Sequence, residues 1–310
     1  MIRPMDLLAA MQAFVHVVDT GGFTQAAAVL RQTQPAVSKQ VAALEARLGA
    51  RLLHRSTRSV TPTEEGRAFY GQARRSLDAA SEALASVGER SGTVDGTVRL
   101  ACPVAFGRLQ VLPRLATLLE RHPALAIDLT MSDGFVDLVE GGIDLGIRIG
   151  TLTDPGLIAR RIGTTRRVTV ASPAYLARAG EPALPDALAG HDCILYAGLA
   201  TGDVWHFDEG GREIAVRVAG RFRANNSEAV REAVLAGLGI AVCPIWLFGP
   251  ELDGGQVRLL LPGFEPTPLP IHAIRPSRRF EPRRIRAVLD HFVSEFARAS
   301  LLGGISGPPT

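Results

Sequence analysis

Three short helical segments, each ended by a stop, fill the first fifty residues and constrain the fold more than any other feature. Leu7, Leu8, Met11, Phe14, Val15 and Val18 fall on one face of a helix, and Gly21-Gly22 ends it. Thr24 is placed to cap a second helix running to Leu30. A tight turn at Arg31-Gln32 leads to Thr33, which caps a third helix. Pro35 lies in its first turn, where a missing N–H is harmless. Val37, Val41, Leu44 and Leu48 form its apolar stripe, and Gly49 stops it. Helices this short are marginal alone, so their apolar faces must meet in one small core.

Residues 51–61 change character. Leu52-Leu53 and Val60 flank the polar, basic stretch His54–Ser59, the pattern of a small hairpin. Thr61-Pro62-Thr63-Glu64 reads as a capping box with Pro62 at the first helical position. A long helix is then expected to about Val87, with Phe69, Ala73, Leu77, Ala80, Leu84 and Val87 spaced close to a heptad seam. So narrow a stripe either pairs with a second copy of itself or docks on its own chain; pairing is the expectation. Ser91-Gly92-Thr93-Val94-Asp95-Gly96 reads as a hinge-like linker.

Beyond it, strand-like and helical runs alternate. Strands are expected over 98–101, 126–131, 143–149, 168–171, 194–196, 214–218, 240–243, 257–261 and 269–274. Helices are expected over 107–121, 135–140, 227–236 and 283–299. Such alternation implies an α/β region with a largely parallel sheet.

Charge separates the two regions. Residues 1–90 hold eleven Lys and Arg against eight Asp and Glu, while the rest of the chain is balanced. The excess is concentrated in Arg31, Lys39, Arg47, Arg51, Arg55 and Arg58, with Glu45 the one acid among them. Such a segment suits a polyanion, although a solvated basic face on an ordinary helical bundle would carry the same charge. The three cysteines are far apart with no C-x-x-C spacing, which suggests reduced thiols in a cytoplasm. Leu7–Val18 is too short and polar for an export signal, and glycines and prolines break Ala233–Pro250. A soluble, cytoplasmic protein without a membrane partner is therefore expected.

Helices two and three, Phe23 to Ala42, form a helix-turn-helix candidate. The run Gly22-Phe23-Thr24-x-Ala26-Ala27-x-x-Leu30-x-x-Thr33-Gln34-Pro35-Ala36-Val37-Ser38-x-Gln40-Val41-x-x-Leu44-Glu45-x-x-Leu48-Gly49 resembles the signature of LysR-type transcriptional regulators. Leu52-Leu53-x-Arg55-x-x-Arg58-x-Val60-x-x-Thr63-x-x-Gly66 continues the match as the winged part. Asp133–Gly150 and Ala236–Pro244 resemble the family's effector-binding domain. The resemblance implies three parts. Residues 1–63 are a winged helix-turn-helix and residues 64–91 a linker and dimerisation helix. Residues 92–310 are a two-lobed α/β domain like the periplasmic solute-binding proteins, with lobe one 92–166 plus 273–300 and lobe two 167–268. Its partners would be double-stranded DNA, a small-molecule effector and further copies of itself as dimer or tetramer, with RNA polymerase as an additional partner.

Within that frame, side-chain chemistry assigns roles. Gln34 offers a bidentate amide to adenine, Ser38 reaches a base edge or phosphate, and Lys39 a phosphate or guanine. Pro35 and Ala36 suit a thymine methyl. Thr24 and Gln25 hold the phosphate backbone, and Arg55 and Arg58 sit on the wing, where Arg enters a narrow minor groove. For the effector, the candidates are Ala101, Cys102, Pro103, Val104 and Ala105 after the first strand, then Arg148 and Gly150. From lobe two come Trp205 and Phe207 as cleft walls, or else plain core, and Asn225, Asn226 and Ser227 at a helix start, or else a turn. Relatives that bind acidic effectors place a Ser or Thr near Pro103 or Val104; Cys102-Pro103-Val104 offers no hydroxyl.

Zinc-protease, phosphate-loop and nucleophile-elbow motifs are absent, and Gly237-x-Gly239 lacks a third glycine and precedes a strand. His191-Asp192-Cys193 has no second pair at metal-ligand spacing. No catalytic residue, metal or cofactor is assigned. Two other classes stay open on the residues alone: a cytoplasmic small-molecule sensor whose N-terminal helices only dimerise, and an α/β enzyme with a helical appendage.

Overall fold

The structure is a computed structural model that describes residues 6–55, 60–85, 93–134, 136–152, 157–198, 201–276, 281–299 and 305–306. The chain divides into two compact units. The first is built on the residues up to Val94, and the second on most of those from Asp95 onward.

In the first unit, α1 (Leu7–Thr20) is capped by Asp6, whose Oδ1 accepts from the Ala9 N–H at 3.1 Å, and ends at Gly21 with φ +72°. The second helix, α2 (Phe23–Leu30), starts at Gly22, so Thr24 lies inside its first turn and does not cap it. Extended backbone at Gly22 already sets the entry. Arg31 closes α2 with φ +53°, an uncommon conformation for a side-chain-bearing residue, and so turns the chain sharply into α3 (Gln34–Leu48). Thr33 Oγ1 accepts from the Ala36 N–H at 3.4 Å, and Gly49 ends the helix with φ +68°. Val37, Val41 and Leu44 are completely buried against Ala10, Ala13, Phe14 and Val17 of α1.

The hairpin forms as β1 (Leu53–Arg55) and β2 (Val60–Pro62), antiparallel, with Leu53 opposite Pro62. That pairing holds Pro62 extended, so it is not the first residue of α4 (Glu64–Ala85). The cap is Thr63. Its Oγ1 accepts from the Gly66 N–H at 2.9 Å and donates to Arg51 O at 2.7 Å, while its own N–H donates to Leu52 O at 3.0 Å. Phe69, Tyr70, Ala73 and Leu77 of α4 then pack on the helical core, and the Tyr70 hydroxyl and Arg74 both bond to Asp19. Half of the expected pairing seam is thus spent within its own chain. Val87 and the linker residues 91–92 lie outside the described residues.

The second unit begins with β3 (Gly96–Cys102), a helical run made of α5 (Val104–Phe106), a π-turn (Gly107–Val111) and α6 (Leu112–Arg121), then β4 (Leu125–Met131). Residues 138–142 form turns and not the expected helix, because Gly141-Gly142 follows Glu140 and Gly142 takes φ +61°. Then come β5 (Leu145–Ile149), β6 (Leu157–Thr165), β7 (Arg167–Ala171), α7 (Pro173–Ala179), β8 (Ile194–Tyr196), β9 (Val204–Glu209), β10 (Arg212–Arg217) and β11 (Phe222–Ala224). The chain continues through α8 (Ser227–Leu235), β12 (Ala241–Pro244), α9 (Gly249–Asp253), β13 (Arg258–Leu260), β14 (Glu265–Pro266), β15 (Leu269–Pro276), α10 (Arg283–Ala299) and β16 (Ile305–Ser306).

A six-stranded sheet in the order β16-β6-β15-β5-β3-β4 forms one lobe. Only β3 with β4 and β5 pairs in parallel; β15 runs antiparallel to both β5 and β6. The sheet is therefore mixed, because the chain leaves it along β6 and returns along β15 as neighbours. Ile285, Val288, Phe292 and Phe296 give α10 its buried stripe, as the spacing predicts. In the other lobe β7 sits between β12 and β13, β8 pairs in parallel with β11, and β9 lies between β10 and β14. The passage out lies between Thr165 and Arg167. All of β15 pairs with β6, so the chain returns to the first lobe at Leu269, within the expected 269–274.

Candidate functional site

Burial of Val37, Val41 and Leu44 fixes which face of α3 looks outward. Gln34, Pro35, Ala36 and Lys39 are exposed there and Ser38 is half-buried. Thr24 and Gln25 are exposed on the first turn of α2. Arg31, Lys39, Arg47 and Arg51 are exposed and form no ion pair among the described residues, so their charges are available to an outside polyanion. Arg55 differs. Its Nη2 lies 2.8 Å from Glu45 Oε2, and its guanidinium stands 5.0 Å from the centre of the Phe23 ring. Glu45 Oε1 in turn accepts from the Leu52 and Leu53 N–H groups at 2.9 and 3.2 Å. The lone acid of the basic stretch thus joins α3 to the start of the wing and holds Arg55 against α2. Sequence spacing could not reveal this bond, because it links a helix to a strand with no periodic relation; the isolation of Glu45 was the available hint. Arg58 lies outside the described residues.

In the second unit a cavity of about 80 Å³ opens between the two lobes. Pro103 and Phe106 line it from one lobe, and Tyr196, Ser227, Val242 and Trp246 from the other. Polar bonds cross the opening. Asp133 accepts from the Val104 N–H at 3.1 Å and from Asn226 Nδ2, and Arg108 forms a two-pronged pair with Glu228 at 2.9 and 3.0 Å. Asn226 also caps α8, accepting from the Ala229 N–H at 3.0 Å.

The residues expected at the effector site therefore separate. Pro103 and Ser227 line the cavity, while Val104 and Asn226 hold Asp133 beside it. Ala101, Cys102 and Ala105 are buried and are not among the residues that line the cavity. Arg148 is half-buried, its guanidinium 3.4 Å from Gly134 O and 3.5 Å from Val136 O; burial lowers its pKa against the opposing effects of Cys102 and Tyr196. Gly150 donates its N–H to Pro270 O at 2.9 Å and does not line the cavity, and Asn225 is exposed. Trp205 and Phe207 do not wall the cleft. They are buried with Tyr175, Leu188 and Val216 in the core of the second lobe, because the inner face of β9 packs on that core. Sequence reasoning missed Asp133, Tyr196, Trp246 and Arg167. Arg167 opens an apolar run where an arginine is ordinarily read as a surface cation. All three cysteines are buried and free, and burial pushes each thiol up to about 12, so none is a thiolate at neutral pH. Among the described residues no helix is long and apolar enough to cross a membrane.

Comparison with known proteins places both units. Residues 8–67 match the family described as bacterial regulatory helix-turn-helix protein, lysR family, and residues 91–297 match the LysR substrate binding domain. The chain is 34% identical over 288 residues to the HTH-type transcriptional regulator PtxR of Pseudomonas aeruginosa, covering 93% of this chain and 92% of that protein. It is 30% identical to CrgA, a LysR-type transcriptional regulator from Neisseria meningitidis, with a TM-score of 0.58 over 93% of this chain and 98% of that one. The full-length virulence activator AphB of Vibrio cholerae superposes with a TM-score of 0.57 at 26% identity, over 93% and 98% of the two chains. The chain belongs to the LysR family of bacterial helix-turn-helix transcriptional regulators.

Proposed function

We propose that this LysR-type regulator reads its operator with the outer face of α3 and that a small molecule in the inter-lobe cavity sets its activity. The observation that carries the first half is the exposure of Gln34, Pro35, Ala36 and Lys39 on a helix whose other face is wholly buried. Gln34 pairs with adenine, Pro35 and Ala36 meet a thymine methyl, Ser38 and Lys39 reach base edges or phosphates, and Thr24 and Gln25 hold the backbone. Arg58 enters the minor groove at the wing, with Arg55 held at its base. Two copies paired through α4 present two such helices to half-sites about one helical turn apart. Helices that served only dimerisation would have no need of four exposed, unpaired cations around that face. Asp133 and Arg108, bonded across the cleft, favour its closed state. An effector shifts the balance only by the difference in its affinity for the open and closed forms. The protein works in the cytoplasm on DNA, as dimer or tetramer, with RNA polymerase as a partner at the promoter and no catalytic role of its own.

Phosphate contacts make the binding steeply dependent on salt. In an electrophoretic shift on the DNA flanking its own gene, about six to ten neutralised phosphates lower affinity by about 10³–10⁵ between 50 and 200 mM salt. Affinity that is flat across that range would remove the nucleic-acid reading of the basic face.

A further inference from the structure

Arg167 is the first residue of β7 and lines the inter-lobe cavity, yet only 7% of it is exposed. Its Nε donates to Thr267 O at 2.6 Å. It joins no salt bridge among the described residues, and the ionisable group nearest in influence is the Cys243 thiol, which stays protonated. Burial draws the guanidinium down to about 10, so it still carries its charge at neutral pH. Arg231, on the neighbouring α8, is by contrast paired with Glu251. A buried charge is normally matched by a counter-charge, since desolvation otherwise goes uncompensated. Among the described residues none is supplied, and Arg167 lines the cavity between the lobes.

The remaining walls define what fits that space. Phe106, Ile149, Val242, Trp246 and Leu269 are apolar, and Tyr196 and Ser227 add hydroxyls. A volume of about 80 Å³ takes roughly six water-sized groups, enough for a small ring or short chain bearing one charged group. We propose that the effector is a small carboxylate with an apolar body, its anionic group held by the Arg167 guanidinium. This rests on the reading of the cavity as the effector site. It also places acid recognition on the strand that leaves the first lobe, and not at Cys102-Pro103-Val104, where no hydroxyl is available. Arg suits the task because its planar fork donates two parallel bonds to a carboxylate.

The test is calorimetric titration of the full-length protein with benzoate and hexanoate, each against its uncharged isostere, benzamide and hexanamide. At least one carboxylate is expected to bind about tenfold or more tighter than its amide. Arg167→Met should weaken that carboxylate about 10–100-fold and leave the amide unchanged, with Arg167→Lys recovering part of the loss. Leu269→Trp, which fills the cavity, should abolish binding. Amides that bind as tightly as their acids, or no binding by either carboxylate at millimolar concentration, would overturn the inference without any variant. Carboxylate binding that survives Arg167→Met but not Leu269→Trp would overturn the role of Arg167 and leave the cavity as the site. Binding indifferent to Leu269→Trp would overturn the cavity reading itself.

Discussion

Replacing Gln34 and Lys39 together with alanine will remove most of the protein's preference for its operator while leaving its fold intact. A bidentate amide–adenine pair discriminates by about 1–3 kcal/mol, and a dyad uses it twice, so specific affinity should fall by between about 30-fold and about 10⁴-fold. Binding to a scrambled duplex should fall much less, because Arg31, Arg47 and Arg51 remain as exposed cations with no ion pair among the described residues. Both replaced side chains are exposed, so unfolding free energy should change by no more than about 0.5 kcal/mol. Fluorescence anisotropy with the two duplexes measures the ratio. An unchanged ratio in a folded double variant would take α3 out of the groove.

The second large effect is expected at Gly66, one turn into α4. Helix propensity alone predicts that Gly66→Ala stabilises the chain by about 1 kcal/mol. Packing predicts the opposite. A Cβ at residue 66 would lie 2.0 Å from Leu52 O and 2.9 Å from its carbonyl carbon, and both are backbone atoms that cannot swing aside. Leu52 O is also the acceptor for the Thr63 N–H, so the helix start, its cap and the base of the wing would have to separate. The expected cost is about 3 kcal/mol or more, a large share of a domain's 5–15 kcal/mol. Denaturant unfolding should show an earlier transition, with operator binding lost alongside it. Gly190→Ala, where an added Cβ meets nothing within 4 Å, is the matching control and should be nearly neutral. Stabilisation by Gly66→Ala would show that the junction is not as tight as drawn.

What the sequence made legible was local. Thr33, Gly21 and Gly49 mark helix ends through chemistry confined to a few neighbouring residues, and the apolar stripe on α3 fixed its outward face. The errors arose where tertiary pairing overrode a local signal. Thr61-Pro62 reads as a cap and first helical residue two positions too early, since nothing local shows that Leu53 will pair with Pro62. Leu157–Thr165 does not read as a strand, because the adjacent Arg160-Arg161 break any apolar alternation; it forms because β15 offers a full-length partner. The parallel sheet expected from alternating elements became mixed for the same reason. Of the residues expected to bind an effector, only Pro103 and Ser227 line the inter-lobe cavity. The other walls come from widely separated segments, and nothing local in the Arg166-Arg167 pair shows that Arg166 will be exposed while Arg167 is buried on the cavity.

The most direct test is a footprint of the purified full-length protein on the intergenic DNA beside its own gene, with the Gln34→Ala, Lys39→Ala variant run in parallel. The account predicts protection of two major-groove segments about one helical turn apart, related by a dyad, and their disappearance in the variant at equal protein concentration. Equal protection by both proteins, or protection with no preferred sequence, would contradict the claim that α3 reads the operator.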